Sequence, residues 1–262
     1  MSAPVFLAEG GGPAPLTRFA PGDVYVLDGA EGRHAGVVQR RRAGERVDVV
    51  DGEGTRLRTV VVAADRDTLE LRVEGVEVEP EPPVRLVLVQ ALAKGDRDEL
   101  AIEAATEVGV DAILPWQAER SVVVWRGERA ARSRARWLAT VRAAAKQSRR
   151  SRVPEVRQDV TTTALADRVR ETVAAGGVAA VLHEDATEPL GTLALPAPGE
   201  PGTPLPEVLV VVGPEGGISD AELERLTGAG GRPVRLGPHV LRTSTAGPVA
   251  LTLLCERLGR WA

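Results

Sequence analysis

Between residues 24 and 79 apolar and polar positions alternate in short runs: VYVLD at 24–28, RVDVVD at 46–51, LRTVVVAA at 57–64 and LELRVEGVEVE at 69–79. A period of two puts one set of side chains on each face of a strand, and the breaks between runs, such as Asp51-Gly52 and Glu53-Gly54, are turn chemistry. This part predicts a small β-barrel or sandwich, with DGEGTR at 51–56 as a hairpin. EGRHAGVVQRRR (31–42) predicts a short helix with Arg40, Arg41 and Arg42 at its end, where cations suit the helix dipole. EVEPEPP (77–83) is acidic and proline-rich. Proline cannot donate to a β-ladder, so this stretch reads as a linker between a domain at 1–76 and a second at 84–262.

Beyond the linker the period changes. RLVLVQALA (85–93) is a buried-strand run, and 96–109 predicts a helix opened by Asp96, with Leu100, Ala104 and Val108 on one face and Gly109 at its end. Strands are expected at 112–116, 178–184, 207–213 and 233–237, and helices at 129–148, 162–175, 219–230 and 245–261. The stretch 194–206, ALPAPGEPGTPLP, reads as a flexible loop without chemistry. Alternating strands and helices predict an α/β fold whose mostly parallel sheet is covered on both faces.

With 262 residues, 43% hydrophobic and 27% charged, the chain can bury a full core. Its longest apolar runs fall well short of the roughly 20 residues a bilayer needs, and the opening MSAPVFLAEG lacks a basic segment followed by an apolar one. A soluble cytoplasmic protein is therefore expected, without a signal peptide. The lone Cys255 cannot form an internal disulfide, and His34, His183 and His239 have no metal-ligand spacing, so no metal is expected. Charge alters the picture through its distribution. The chain carries a net −4, yet 126–152 holds ten basic residues against Glu128 alone. Such a concentrated cation is either a solvated helix face or a site for a polyanion, of which a phosphate backbone is the obvious one. Arg149, Arg150 and Arg152, with Arg40 on the other side of the linker, are the candidate RNA-binding residues.

In α/β sheets ligands bind at the carboxyl ends of strands. Three such ends stand out. Strand 207–213 runs into GPEGGIS (213–219), whose glycines admit close backbone approach and whose Ser219 can cap a helix. Strand 178–184 ends in LHED, where His183 reads as a polar strand-end residue before it reads as a base. Strand 233–237 ends in LGPHVLRTSTAG (236–247), with one arginine and three hydroxyls before the last helix. No GxxxxGK[ST], Rossmann glycine string with its helix, or GxSxG elbow occurs.

The order QALAKGDRDELAIEAATEVGVDAILP (90–115), AERSVV (118–123), KQSRRSRVPE (146–155), VVGPEGGIS (211–219) and LGPHVLRTSTA (236–246) closely resembles the ribosomal RNA small-subunit methyltransferase E family, part of the SPOUT superfamily. RHAGVVQRRRAGERVDVVDG (33–52) is similar to that family's PUA-like β-barrel. The resemblance implies methylation of uridine N3 in 16S ribosomal RNA by a homodimer. It also implies S-adenosylmethionine held in a trefoil knot of the carboxyl-terminal third. Leu182, Gly213, Pro214, Glu215, Gly216, Leu236, Gly237, Leu241, Arg242, Thr243, Thr245 and Ala246 then become cofactor-binding candidates, and Arg242 the catalytic candidate, a cation favouring the uridine anion. Val249, Leu253 and Trp261 offer apolar surface for a dimer. The chain departs from the family pattern at Ser244, where many members carry Glu, and at MSAPVF, where many have an arginine. A non-enzymatic RNA-binding module would explain the charge but leave the glycine turn idle. A phosphate-binding enzyme would place Glu215 against its own ligand.

Overall fold

The computed structural model describes residues 3–8, 15–199 and 203–261; Met1 and Ser2 of MSAPVF and residues 200–202 of the 194–206 loop lie outside the described residues. Two compact units are present, residues 1–81 with 145–153, and 82–144 with 154–262.

The first unit contains β1 (Val5–Leu7), β2 (Val24–Leu27), α1 (Gly29–Arg33), β3 (Arg46–Val50), β4 (Thr55–Ala64) and β5 (Leu69–Val78). Its five-stranded sheet runs β1-β3-β4-β5-β2, with β1 parallel to β3 and the other pairings antiparallel. The edge strands β1 and β2 do not pair with each other, so the sheet is a curled half-barrel, an open form of the small barrel expected. Phe6, Val47, Val49, Leu57, Leu69 and Leu71 fill its concave side, as the alternation requires. Register shifts in the β4/β5 pair at Arg58/Thr59 and Val61/Ala63 bend it. The hairpin at 51–56 forms as expected.

The helix expected at 31–42 is shorter and ends earlier. After α1 the chain widens into a π-type turn at His34–Val38, and Gln39 N–H closes on His34 O. Gly32 and Gly36 lie so close to the 65–67 loop that a Cβ would meet Asp67 O at 2.5 Å and Asp65 O at 2.6 Å. Arg40 then adopts a left-handed φ of 52°, so Arg40–Arg42 lie past the helix, not on its last turn. Glu77 and Val78, expected in the linker, still pair with Arg56 and Thr55 in β5. Residues 145–153 return to this unit: Lys146 Nζ donates to Glu31 Oε1 at 2.5 Å and Val153 N–H to Gly52 O at 2.9 Å.

The second unit contains β6 (Arg85–Ala91), α2 (Arg97–Val108), β7 (Ala112–Gln117), α3 (Glu128–Gln147), β8 (Glu155–Val156), β9 (Val160–Thr161), α4 (Thr162–Ala174), β10 (Val178–Leu182), β11 (Glu207–Val212), α5 (Asp220–Gly228), β12 (Arg232–Val234) and α6 (Thr243–Arg257). The last residues of α3 belong to the first unit. Its sheet is parallel throughout, ordered β12-β10-β11-β6-β7-β8, with β9 also on β7. Helices α2 and α6 pack on each other and on β6, while α4 and α5 pack together, α4 against β10 and β11. Val87, Val89, Leu209 and Val211 are fully buried with Leu165, Val169 and Leu226 of α4 and α5. Such two-sided burial is why these strands read as continuous apolar runs.

The expected apolar face of α2 is corrected. Leu100 is 56% exposed, and the buried residues are Asp98, Ala101, Ile102, Ala105 and Thr106, because α2 turns a different face to α6 and β6. Asp96 takes the N-cap position with φ 55°, but its side chain makes no cap bond. Helix α6 begins two residues before the expected start, placing Arg242 at its N-cap. No helix among the described residues is long and apolar enough to cross a membrane.

Candidate functional site

The strands β10, β11 and β12 are neighbours, so the three turns picked from the sequence meet at one end of the sheet. They enclose a cavity of about 620 Å³. Of the twelve cofactor candidates, Leu182, Gly213, Pro214, Glu215, Gly216, Leu236, Gly237, Leu241, Arg242, Thr243 and Ala246 line it. Thr245 does not; it is exposed one turn into α6. Arg97, Ile218, Arg235 and His239 also contribute to the wall, as do His183 and Glu184. The His183 ring accepts from Asp185 N–H through Nδ1 at 3.3 Å.

The GPEGGIS turn is built by its own residues. Gly217 has φ +74°, and its N–H donates to Pro214 O at 2.9 Å. A Cβ on Gly213 would meet Ile218 Cγ1 at 2.8 Å, so a side chain here would force Ile218 to shift. Ser219 and Glu222 form a reciprocal capping box at the start of α5. At the cavity wall, Thr243 Oγ1 donates to Gly213 O at 2.8 Å and accepts from Gln90 Nε2 at 2.9 Å. One hydroxyl thus ties the glycine turn to the first residue of α6 and to the end of β6. Gln90 is fully buried, and its Oε1 has no partner. Sequence reasoning missed this residue; the signal was a single amide inside an otherwise apolar strand run.

Glu215 Oε1 accepts from Arg97 Nη1 at 2.8 Å and from Lys94 N–H at 3.1 Å. Burial pushes this carboxyl upward, but its own backbone N–H, Arg97 and Lys94 N–H outweigh it and hold it below the usual carboxylate range. The group stays ionised at neutral pH. Arg242 differs: its guanidinium is exposed on the cavity wall and makes no hydrogen bond or ion pair with the described residues. The cavity therefore joins an apolar slot (Leu182, Ile218, Leu236, Leu241) to backbone polar groups, one fixed carboxylate and two exposed cations, Arg242 and Arg235, without a side-chain partner among the described residues. That combination suits a flat, partly charged ligand with a reacting partner beside it. Among the described residues no cluster of three His, Cys, Asp or Glu side chains could hold a metal.

The candidate RNA-binding arginines lie on both sides of the linker in the chain but all fall in the first unit, because 145–153 packs there. Arg40 and Arg149 are exposed, with left-handed φ of 52° and 60° and no side-chain partner. Arg150 is half-buried. Arg152 Nη2 donates to Glu79 O at 2.6 Å, and its guanidinium lies where a Cβ on Gly54 would sit, so this side chain serves the fold. Elsewhere in the basic segment Arg134 donates to the Val156 and Arg157 carbonyls, which hold it without neutralising it, and Arg136 is compensated by Glu99.

Comparison with known proteins adds to this geometry. A model of the RNA methyltransferase domain matches residues 80–255. The chain is 49% identical over 242 residues to the ribosomal RNA small subunit methyltransferase E of Mycobacterium tuberculosis, covering 92% of this chain and 89% of that protein. Identity to its Bacillus subtilis counterpart is 31%, over 88% of this chain and 89% of that one. Among solved structures, the methyltransferase E of Neisseria gonorrhoeae bound to S-adenosyl methionine superimposes with a TM-score of 0.81 at 26% identity, over 98% of both chains. A Legionella pneumophila protein solved with the bound cofactor SAM gives 0.80 at 29% identity, again over 98% of both.

Proposed function

Because the chain belongs to the ribosomal RNA small subunit methyltransferase E family, we propose that it carries a methyl group from S-adenosylmethionine to N3 of one uridine in 16S ribosomal RNA. The observation that carries this reading is a cavity lined by both the glycine turn and an uncommitted Arg242. The residues fit the cofactor. Gly216 and Gly217 leave a side-chain-free edge, the leucines offer apolar faces for an adenine, and Glu215 is an ionised acceptor for a cationic group.

The cofactor supplies a methyl group already activated by its sulfonium, so that transfer is a direct displacement needing no metal. The chain's own residues must do the rest. Uridine N3 carries a proton and is a poor nucleophile until that proton leaves. Arg242, free of protein partners, is placed to lie against a uracil carbonyl and stabilise the charge that develops there. N3 lies on the Watson–Crick edge, so the uridine must be unpaired to enter. Arg40 and Arg149 supply phosphate contacts in the first unit, with Arg150 beside them. The reading also includes a cytoplasmic homodimer, supported by the exposed Val249, Leu253 and Trp261, and a trefoil knot around the cavity.

The test pairs calorimetry with a methylation assay on small-subunit RNA, the product mapped by mass spectrometry. Wild-type protein should bind S-adenosylmethionine, and Arg242→Ala, assayed at saturating cofactor, should lose on the order of a hundredfold in methylation rate. Unchanged methylation in Arg242→Ala would remove the arginine from the chemistry. Product at a position other than uridine N3 would overturn the substrate assignment.

A further inference from the structure

Residues 118–127 join β7 to α3 without regular structure, and methyl transfer as proposed gives them no role. Two consecutive side chains in this segment grip the glycine turn from behind. Arg120 Nη1 donates to Gly216 O at 2.9 Å. Its stem lies along the same glycines, so that a Cβ on Gly216 would stand 3.1 Å from Arg120 Cβ and one on Gly217 3.8 Å from Nη1. Glu119 holds the other end: its N–H donates to Glu222 Oε1 at 2.8 Å, and its Oε2 accepts from Ser219 Oγ at 2.6 Å. Glu222 is buried and also accepts from the Thr162 hydroxyl at 2.7 Å, which in turn accepts from the Trp116 indole at 3.2 Å. The segment is thereby moored to β7, α4 and α5 at once.

Arg120 is exposed, and an exposed arginine loses side-chain entropy when held to one carbonyl. The chemistry of the turn explains why it is held. Gly216-Gly217 is the least constrained dipeptide available, and the peptide between its residues can rotate with little steric resistance. With Gly216 O turned to Arg120, the Gly217 N–H donates to Pro214 O and the turn has one shape. Rotation would break both bonds and swing a carbonyl oxygen to the opposite side.

We propose that Arg120 is a positioning residue for methyl transfer, fixing the Gly216–Gly217 peptide so that the turn presents a single hydrogen-bonding face to the cofactor. This rests on the reading that the turn holds S-adenosylmethionine, and the experiment separates the two. Only one of the guanidinium N–H groups is used, so a lysine can replace it and a methionine of similar stem cannot.

In full-length protein, Arg120→Met should raise the S-adenosylmethionine Kd about tenfold, and Arg120→Lys should restore it to within about threefold of wild type. At saturating cofactor kcat should change less than about twofold, because the interaction is made before chemistry. The urea midpoint of Arg120→Met should match wild type, as a purely structural residue would not allow. Gly216→Val serves as the reference. If it binds normally, the cofactor assignment of the turn falls and Arg120 with it. If Gly216→Val loses binding while Arg120→Met keeps it, or weakens only in step with a lowered urea midpoint, the Arg120 assignment alone is overturned.

Discussion

Thr243→Val is the most informative single change in this protein, because one oxygen carries two bonds between three elements. Valine keeps the shape and removes the hydroxyl, so Gly213 O is deprived of its donor at 2.8 Å and Gln90 Nε2 of its acceptor at 2.9 Å. The two groups are unequal. Gly213 borders the cavity and can regain a water, placing its cost near the lower end of the ~1–3 kcal/mol typical of an unsatisfied buried group. Gln90 is fully buried, keeps only its bond to Ala91 O at 3.2 Å, and already carries an unpartnered Oε1, so its cost sits near the upper end. Exchanging hydroxyl for methyl returns about 0.8 kcal/mol of apolar burial. The net expectation is a destabilisation of about 3 kcal/mol by urea unfolding. Thr243→Ser keeps both bonds, removes one methyl, and should cost only about 1 kcal/mol. Affinity for S-adenosylmethionine should fall in Thr243→Val and hold in Thr243→Ser, since only the first frees the turn from α6. A valine variant no less stable than the serine one would refute the reasoning.

Three further outcomes follow from the geometry. Alanine at Arg40 or Arg149 should weaken binding to all RNA sequences alike and reduce the salt slope by roughly 0.7–0.9 for each phosphate no longer neutralised, while cofactor affinity holds; an unchanged slope would move the RNA path elsewhere. Burial pushes Glu207 upward, but Arg157, Arg168 and Arg85 outweigh it and hold its carboxyl below the usual range, so its contribution to stability is present above the unfolded carboxyl pKa of about 4.3 and lost as pH falls through the folded value. Glu207→Gln should therefore flatten the pH dependence of unfolding below about pH 5, and an identical acid limb in the variant would contradict this. Leu253→Glu should turn a sedimenting dimer into a monomer, and a wild-type monomer that remains active at micromolar concentration would remove the dimer from the reading.

How far the chain could be read depends on what kind of constraint each residue answers to. Local constraints are written locally. The strands β3 to β7, β10 and β11 follow from period-two alternation or from apolar runs. The α5 start follows from Ser219 and Glu222 three residues apart, and the glycine turn from Gly213, Gly216 and Gly217. The parallel sheet and its three chemistry-bearing strand ends follow from those elements in order; that β12, β10 and β11 are neighbours is decided by the fold, and the cofactor candidates, eleven of which line the cavity, came from the family resemblance. Resemblance over motifs with specific spacing then named the chemistry.

What remained hidden was decided by partners distant in the chain. Three-residue β1 has no alternation to read and exists because β3 offers it a parallel edge. The buried face of α2 was settled by its packing on α6 and β6, which buries Ala101, Ile102 and Ala105 and leaves Leu100 in solvent. The basic segment looked uniform in the sequence. Folding commits Arg134, Arg136, Lys146 and Arg152 to carbonyls and carboxylates and leaves Arg149 without a side-chain partner. Arg120, Gln90 and Arg97 owe their places to residues 96, 153 and 118 positions away, respectively. Periodicity and turn chemistry act over a few residues and so determine elements from the sequence alone; which face is buried, and which charge stays free, depends on neighbours that only the tertiary structure supplies.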